Sequence, residues 1–309
     1  MENNLCSNPT RPDWIRKKIR LNNYNISQVK DLLTNLNLNT VCQSAKCPNI
    51  FECFSKKTAT FLLMGDVCTR NCAFCGINSG IPVSLDKDEP KKISEAAIRM
   101  NLKYIVLTSV TRDDLRDGGA SHFAKTVRMI KKSIPDSKVE CLIPDFRGET
   151  KNLKILLEEK VDVLNHNLET IKSNYPIIRN KANYKNSLDI LKFAKEIKPE
   201  VLTKSGFMLG LGEEHEEIIG LLNDLNNINC EIVTIGQYLM PSQSNYPVQK
   251  YYTPEEFEEI KKIAENFSFK SVVAGIFVRS SYHAAITVEK LKKLNTDKQE
   301  LHNFIKLTN

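Results

Sequence analysis

Six short apolar runs punctuate this chain: Thr60 to Met64, Tyr104 to Thr108, Val139 to Ile143, Val161 to Asn165, Leu202 to Met208 and Ile232 to Gly236. Runs of that length bounded by turn residues read as strands buried on both faces. Between and after them, Ser94 to Met100, Phe123 to Ser133, Lys151 to Glu158, Ser187 to Lys195, Glu216 to Leu225 and Pro254 to Asn266 carry apolar residues three and four apart. That spacing gives each a helical stripe able to cover a sheet. Alternating strands and helices imply an α/β fold, a parallel sheet with right-handed crossovers curled into a partial or full barrel of six βα units. Outside it lie an N-terminal extension over residues 1–58 and a C-terminal tail over 270–309, flanking a barrel over 59–269.

In such a barrel the chemistry gathers where the strands end, in the βα loops. The candidate loops are Gly65 to Cys75, Ser109 to Ala120, Pro144 to Gly148, His166 to Glu169, Gly210 to Glu213 and Gln237 to Ser242. No apolar run approaches the roughly 20 residues of a membrane span, so no membrane partner is expected. The opening MENNLCSNPTRPDWIRKKIR lacks the apolar core of a secretory signal and the acid-poor, Arg/Ser-rich character of a transit peptide, so a reducing cytoplasm is the expected compartment. The net charge of +7 comes from lysines scattered over helices rather than from a basic stripe. A solvated basic face, or docking to an acidic protein, therefore reads better than nucleic-acid binding.

Of nine cysteines, six fall between Cys42 and Cys75. In a reducing compartment, clustered thiols act as metal ligands or catalytic groups rather than disulfides. Spacing splits them into two triplets: Cys42, Cys47 and Cys53 as C-x4-C-x5-C in CQSAKCPNIFEC, and Cys68, Cys72 and Cys75 as C-x3-C-x2-C in CTRNCAFC. Three thiolates on a tight loop can bind three corners of a 4Fe-4S cube, leaving the fourth iron open to a substrate. A redox dithiol built on Cys72 and Cys75 would leave Cys68 idle. A zinc site lacks a nearby pair to close its tetrahedron. An iron-sulfur site is the reading favoured by spacing and by the position after the first strand. Cys6, Cys141 and Cys230 stand apart and read as small buried hydrophobes.

C-x3-C-x2-C after the first strand of a βα barrel resembles the radical S-adenosylmethionine enzymes, in which the methionyl amine and carboxylate occupy the open iron. Reductive cleavage there gives a 5′-deoxyadenosyl radical. The upstream triplet, with TSVTRDDLRDGGA, LIPDFRG, NHNLET, TKSGFMLGLGE, IGQYLMPS and VRSSYHA in that order, narrows the resemblance to the lipoyl synthase family from about Asn37 to Ala284. That resemblance implies insertion of two sulfur atoms, at the sixth and eighth carbons, into an octanoyl chain amide-linked to a lysine of a carrier domain. It implies two 4Fe-4S clusters and S-adenosyl-L-methionine as cofactors. Cys68, Cys72 and Cys75 would hold the radical-generating cluster. Cys42, Cys47, Cys53 and a serine of the RSSY motif, Ser281 in preference to Ser280, would hold an auxiliary cluster whose sulfides are the sulfur source. A serine oxygen is a harder, weaker iron ligand than a thiolate, which suits a cluster meant to come apart.

The carriers would be octanoylated acyltransferase subunits of 2-oxoacid dehydrogenases and the glycine cleavage H protein, with a ferredoxin or flavodoxin as electron donor. Commonly acidic carriers would meet a basic rim. Arg279 is expected to act beside the ligand serine. Asn165, Asn167, Ser205 and Gly206 at the mouth are expected to contact adenosylmethionine, and Asp113 to receive its methionyl amine. SNYPVQKYYTP departs from the family pattern at Tyr246 and Lys250, and Cys141 stands where an aliphatic residue is ordinary. The competing readings are another radical sulfur-inserting enzyme, such as a methylthiotransferase or biotin synthase, and a zinc-binding nucleic-acid module.

Overall fold

The computed structural model describes residues 11–15 and 23–291; Cys6 and parts of both predicted extensions lie outside the described residues. Seven parallel strands form one curled sheet in chain order: β1 (Thr60–Leu63), β2 (Tyr104–Ser109), β3 (Lys138–Leu142), β4 (Val163–Asn165), β5 (Leu202–Leu209), β6 (Ile232–Gln237) and β7 (Ser271–Gly275). The α/β barrel class is as expected, and the six predicted strands end within one or two residues of the observed ones. The seventh strand was not predicted. Its SVVAG run is short and only half-buried, and no described helix of the βα rhythm follows it directly. It pairs with β6 from Ser271↔Ile232 to Gly275↔Gly236, so the chain past Lys270 belongs to the sheet.

Six helices cover the outer face: α1 (Glu89–Arg99), α2 (Ala120–Ser133), α3 (Thr150–Leu157), α4 (Tyr184–Ile197), α5 (His215–Asn227) and α6 (Pro254–Glu265). Helices α1, α2 and α4 begin three to five residues before their expected starts at Ser94, Phe123 and Ser187, and side-chain caps fix the starts of α4 and α6. Asn183 accepts the Asn186 N–H at 3.0 Å, and Thr253 with Glu256 forms a reciprocal capping box. Outward strand residues such as Leu107, Val139, Leu164 and Val233 join Phe123, Leu153, Leu191 and Leu221 of the helices in one apolar cluster. Alternation then sends the neighbouring residues inward. There Tyr104, Val163, Leu202 and Ile232 pack against Val288 and Leu291 of a helical segment, 284–291, which closes the amino-terminal end of the lumen.

Beside this plug, four strands supply a buried polar knot. Glu140, fully buried, accepts from Tyr104 Oη at 2.5 Å, Asn165 Nδ2 at 2.8 Å and Lys204 Nζ at 3.0 Å. A buried ion pair is kept only where each partner is neutralised and hydrogen-bonded, as here.

The sheet is open. One edge is the two-residue strand Asn39–Thr40, antiparallel to β1, and the other is β7. Each edge hands the chain to a functional segment: Asn39–Thr40 leads straight into Cys42, and β7 leads into Val278 to Tyr282. Among the described residues, no helix is long and apolar enough to cross a membrane.

Candidate active site at the barrel mouth and seam

Beyond β1, Met64 and Gly65 take left-handed backbone, φ +68° and +91°, and turn the chain toward Cys68. The buried Met64 N–H is bound by the Glu89 carboxylate at 2.9 Å, itself 2.6 Å from His122 Nε2. Cys68 Sγ then accepts two backbone N–H groups, from Thr111 at 3.3 Å and Arg70 at 3.4 Å.

Arg70, inside the cysteine loop, ties three βα loops together. Its guanidinium, 8% exposed, donates from Nε and Nη2 to Asp113 at 2.7 and 2.9 Å, and from Nη1 and Nη2 to Asp145 at 2.7 Å each. Bidentate pairing of this kind fixes position as well as charge. Arg70 holds the Asp145 carboxyl below its ordinary range against the opposing effect of burial. Asp113 thus departs from its expected part. Both its oxygens are engaged by Arg70, with Thr69 Oγ1 a further 3.3 Å from Oδ2, so it braces the loop. The loop after β6 adds a fourth tie, since Asn245 Nδ2 donates to the carbonyls of Cys75 at 2.9 Å and Ala73 at 3.2 Å.

The two departures noted near this loop also find partners. Tyr246 N–H donates to Ala73 O at 2.9 Å, and its ring packs against the buried cluster of Ile178, Leu211, Tyr238 and Val248. Lys250 pairs with Glu256 at 2.7 Å over the Tyr252 ring. Cys141 and Cys230 are buried in the apolar core.

Deeper in the mouth, Arg179 is buried and donates to the Asn167 and Leu168 carbonyls at 3.0 and 3.2 Å. Its charge lies close enough to Cys72 and Glu169 to offset part of the burial that pushes their pKa values up. His166 Nδ1 sits 2.8 Å from Ile143 O, and burial with the Arg179 charge depresses its pKa to about 4, so the ring is neutral. Four buried side-chain atoms in or beside this region have no partner: Ser109 Oγ, Asn165 Oδ1, His166 Nε2 and Arg179 Nε. Ser205, by contrast, is occupied: its Oγ accepts the Leu168 N–H at 3.3 Å and holds the loop after β4. Gly206 has no room for a side chain, since a Cβ there would lie 2.5 Å from Thr234 Oγ1 and 2.9 Å from Ser280 Oγ.

At the seam, the upstream triplet and the RSSY segment come together. Cys42 lies under β1, and burial raises its thiol to about 11. Cys53 sits on the short helix Ile50–Ser55. Arg279, donating to Val278 O at 2.6 Å, lies within electrostatic reach of Cys47 and Glu169. A Cβ on Gly236 would sit 2.2 Å from Val278 O, so only glycine lets this segment cross β6. The two serines part company. Ser280 Oγ donates to Asn167 Oδ1 at 2.9 Å inside the barrel, whereas Ser281 lines a cavity together with Cys53 and Glu52.

These residues fit the groups that the sequence implied. The eight described cysteines form no disulfide. Burial pushes the Cys75 thiol up to about 12 and raises that of Cys72, with neighbouring cysteines of the triplet adding to both, so a bound cation would stabilise the thiolates. No three His, Cys, Asp or Glu side chains among the described residues converge as they would on a single ion, while a cube spreads its sulfur ligands over separate irons. The four unpartnered polar atoms offer donors and acceptors to a polar ligand beside that loop. Arg70, Arg179, Glu140 and Lys204 escaped sequence reading. The one available signal was a charged residue inside an otherwise apolar strand or beside a cysteine ligand.

Comparison with known proteins agrees. Residues 62–225 match the sequence profile of the Radical SAM superfamily, and the chain belongs to that superfamily, whose members use a 4Fe-4S cluster and S-adenosylmethionine. Among solved structures, the chain is similar in fold to the hydrogenase maturase HydG (TM-score 0.53, 15% identity, 80% of this chain and 62% of that one). It is also similar to Streptococcus suis SuiB bound to S-adenosylmethionine (TM-score 0.52, 11% identity, 74% and 55%). Within the superfamily the chain belongs to the lipoyl synthase family. It is 53% identical over 279 residues to the lipoyl synthase of Caldicellulosiruptor saccharolyticus, covering 90% of this chain and 98% of that one. It is 50% identical over 275 residues to that of Neisseria meningitidis serogroup A, covering 89% and 84%.

Proposed function

We propose that the chain is a lipoyl synthase that inserts two sulfur atoms, at the sixth and eighth carbons, into a protein-bound octanoyl-lysine, with an auxiliary 4Fe-4S cluster at the seam as sulfur donor. The observation that carries this reading is the meeting of Cys47 and Cys53 with the RSSY segment across the open edges of the barrel, beside a separate cysteine loop at the mouth. When bound, the mouth cluster and adenosylmethionine supply an oxidant able to remove hydrogen from unactivated carbon.

The chain's own residues do the rest. Cys68, Cys72 and Cys75 hold the cluster at the mouth, on a loop that Arg70 fixes through Asp113 and Asp145. Asn165, His166 and Arg179 present the polar atoms that would bind the amino-acid and nucleoside parts of adenosylmethionine, with Asn167 alongside. Cys42, Cys47, Cys53 and Ser281 would hold the auxiliary cluster, with Arg279 within electrostatic reach of Cys47. In domain terms, the extension (1–58) and the tail (270–309) together build the seam around the barrel (59–269).

A cavity of about 570 Å³ bordered by Cys53, Ser281, Tyr104, Val106 and Val288 has the size of a small-ligand site and suits an acyl-lysine arm. Lys56, Lys57, Lys103 and Lys138 border it against Glu52, Asp136 and Glu289, a slight basic excess to which an acidic carrier domain such as an acyltransferase subunit or the glycine cleavage H protein would dock. A small redox protein such as a ferredoxin or flavodoxin would deliver electrons.

The test is to incubate the anaerobic enzyme with reductant, adenosylmethionine and an octanoylated carrier, and to weigh the carrier. A gain of two sulfurs is expected; no gain would refute the assignment.

A further inference from the structure

We propose that Glu52 is a positioning residue of the auxiliary site, seating the segment that carries Ser281 against the helix that carries Cys53. The inference rests on the auxiliary assignment made above and adds to it the group that keeps a distant, weak ligand in place.

Glu52 immediately precedes Cys53. Both its carboxylate oxygens accept the Tyr282 hydroxyl at 3.1 Å, and Oε1 lies 3.3 Å from His283 Nε2. The Tyr282 and His283 rings stack on each other, centroids 3.9 Å apart and 17° from parallel. A second tie precedes the serines: the buried Asn49 donates from Nδ2 to Phe277 O at 2.7 Å. Residues on both sides of Ser281 are thereby fastened to the stretch between Cys47 and Cys53, across 228 to 231 positions of sequence. His283 holds left-handed backbone, φ +54°, which a non-glycine residue keeps when its surroundings fix the turn.

The need for such a fastening follows from the ligand set. Three cysteines lie within twelve residues of one another and meet at little entropic cost, whereas a serine brought from the far end of the chain closes a very long loop. Its oxygen also binds iron less firmly than a thiolate, so the bond alone holds the segment weakly. Glu52 supplies charge-assisted hydrogen bonds, which hold without any contribution from Ser281. Glu52, Ser281 and His283 also line the cavity assigned to the acyl-lysine arm, which places the fastening where an arriving carrier would meet it.

The experiment uses the full chain assembled anaerobically with both clusters. Hydrogen exchange over residues 277–284 and the rate of iron loss to a chelator are measured in wild type, Glu52→Gln, Glu52→Ala, Tyr282→Phe and Ser281→Ala, with the mouth cluster's spectrum in the presence of adenosylmethionine as internal reference. Glu52→Ala should raise exchange and speed iron loss about ten-fold, the loss of one hydrogen bond to a charged group. Tyr282→Phe should act in the same direction, and Glu52→Gln, which keeps an acceptor for the tyrosine but loses the charge, should fall between wild type and Glu52→Ala. If Ser281→Ala loses iron quickly while Glu52→Ala and Tyr282→Phe behave as wild type, the positioning role is overturned. If Ser281→Ala itself behaves as wild type, the auxiliary assignment falls and takes the proposal with it.

Discussion

The two cysteine triplets are fastened by different means, and the difference matches the fates proposed for them. At the mouth, Cys68 to Cys75 sit on a loop locked to its neighbours by buried charge: Arg70 against Asp113 and Asp145, with Glu89 on Met64 and Asn245 on the loop carbonyls. At the seam, Cys42 to Cys53 meet their distant partners through the buried Asn49 and the partly exposed Glu52, Tyr282 and His283, beside two open sheet edges. On the proposed function, the site that would work repeatedly is built into the frame, whereas the site that would give up its atoms lies where the frame is unclosed.

The sharpest way to break this contrast is to remove one ligand from each site. Cys68→Ala should abolish 5′-deoxyadenosine formation, a loss of at least about three orders of magnitude, because the open-iron cluster cannot be held. Cys47→Ala should keep measurable cleavage while inserting no sulfur. Product analysis by mass spectrometry separates the two, and identical behaviour would mean that the triplets form one functional unit.

Next in size is the mouth's ion pairing. Arg70→Leu leaves the buried Asp145 without its cation, and the expected cost is about 3–5 kcal/mol in chemical denaturation, the range for breaking a buried pair from one side.

Acid should loosen the mouth. His166 is buried neutral, its pKa lowered to about 4 from an ordinary value near 6.5. The unfolded chain binds this proton more readily, so the stability that His166 confers is complete above about pH 6.5 and is lost as pH falls toward 4. The loss amounts to about 3 kcal/mol. A His166→Gln variant should show a flatter stability profile over that interval, and an unchanged profile would count against the buried neutral ring.

The seam should respond least. Asn49→Ala removes the bond to Phe277 O and should cost about 1 kcal/mol, read as a small shift in the same denaturation midpoint.

The sequence was most legible where burial is symmetrical. Strands such as Phe61–Leu63 and Ile105–Leu107 are apolar on both faces, so their runs stand out whatever the barrel's curvature. The cysteine spacings were equally plain, because a loop brings its own ligands together. Three things stayed hidden. The strand Ser271–Gly275 is only half-buried along its whole length, unlike the buried strands that were legible. Glu140 and Lys204 read singly as surface charges, and only the pairing of β3, β4 and β5 shows them neutralising each other. The bond of Ser280 to Asn167 depends on how β7 delivers the chain across Gly236, which no pattern in one dimension records.

The central claim is that two cysteine triplets make two independent cluster sites, and counting iron and sulfide in anaerobically assembled protein tests it most directly. Wild type should carry about eight irons, and chains lacking either the Cys42, Cys47, Cys53 set or the Cys68, Cys72, Cys75 set should each carry about four. A wild-type content of about four, or loss of all iron on removing either triplet, would contradict the account.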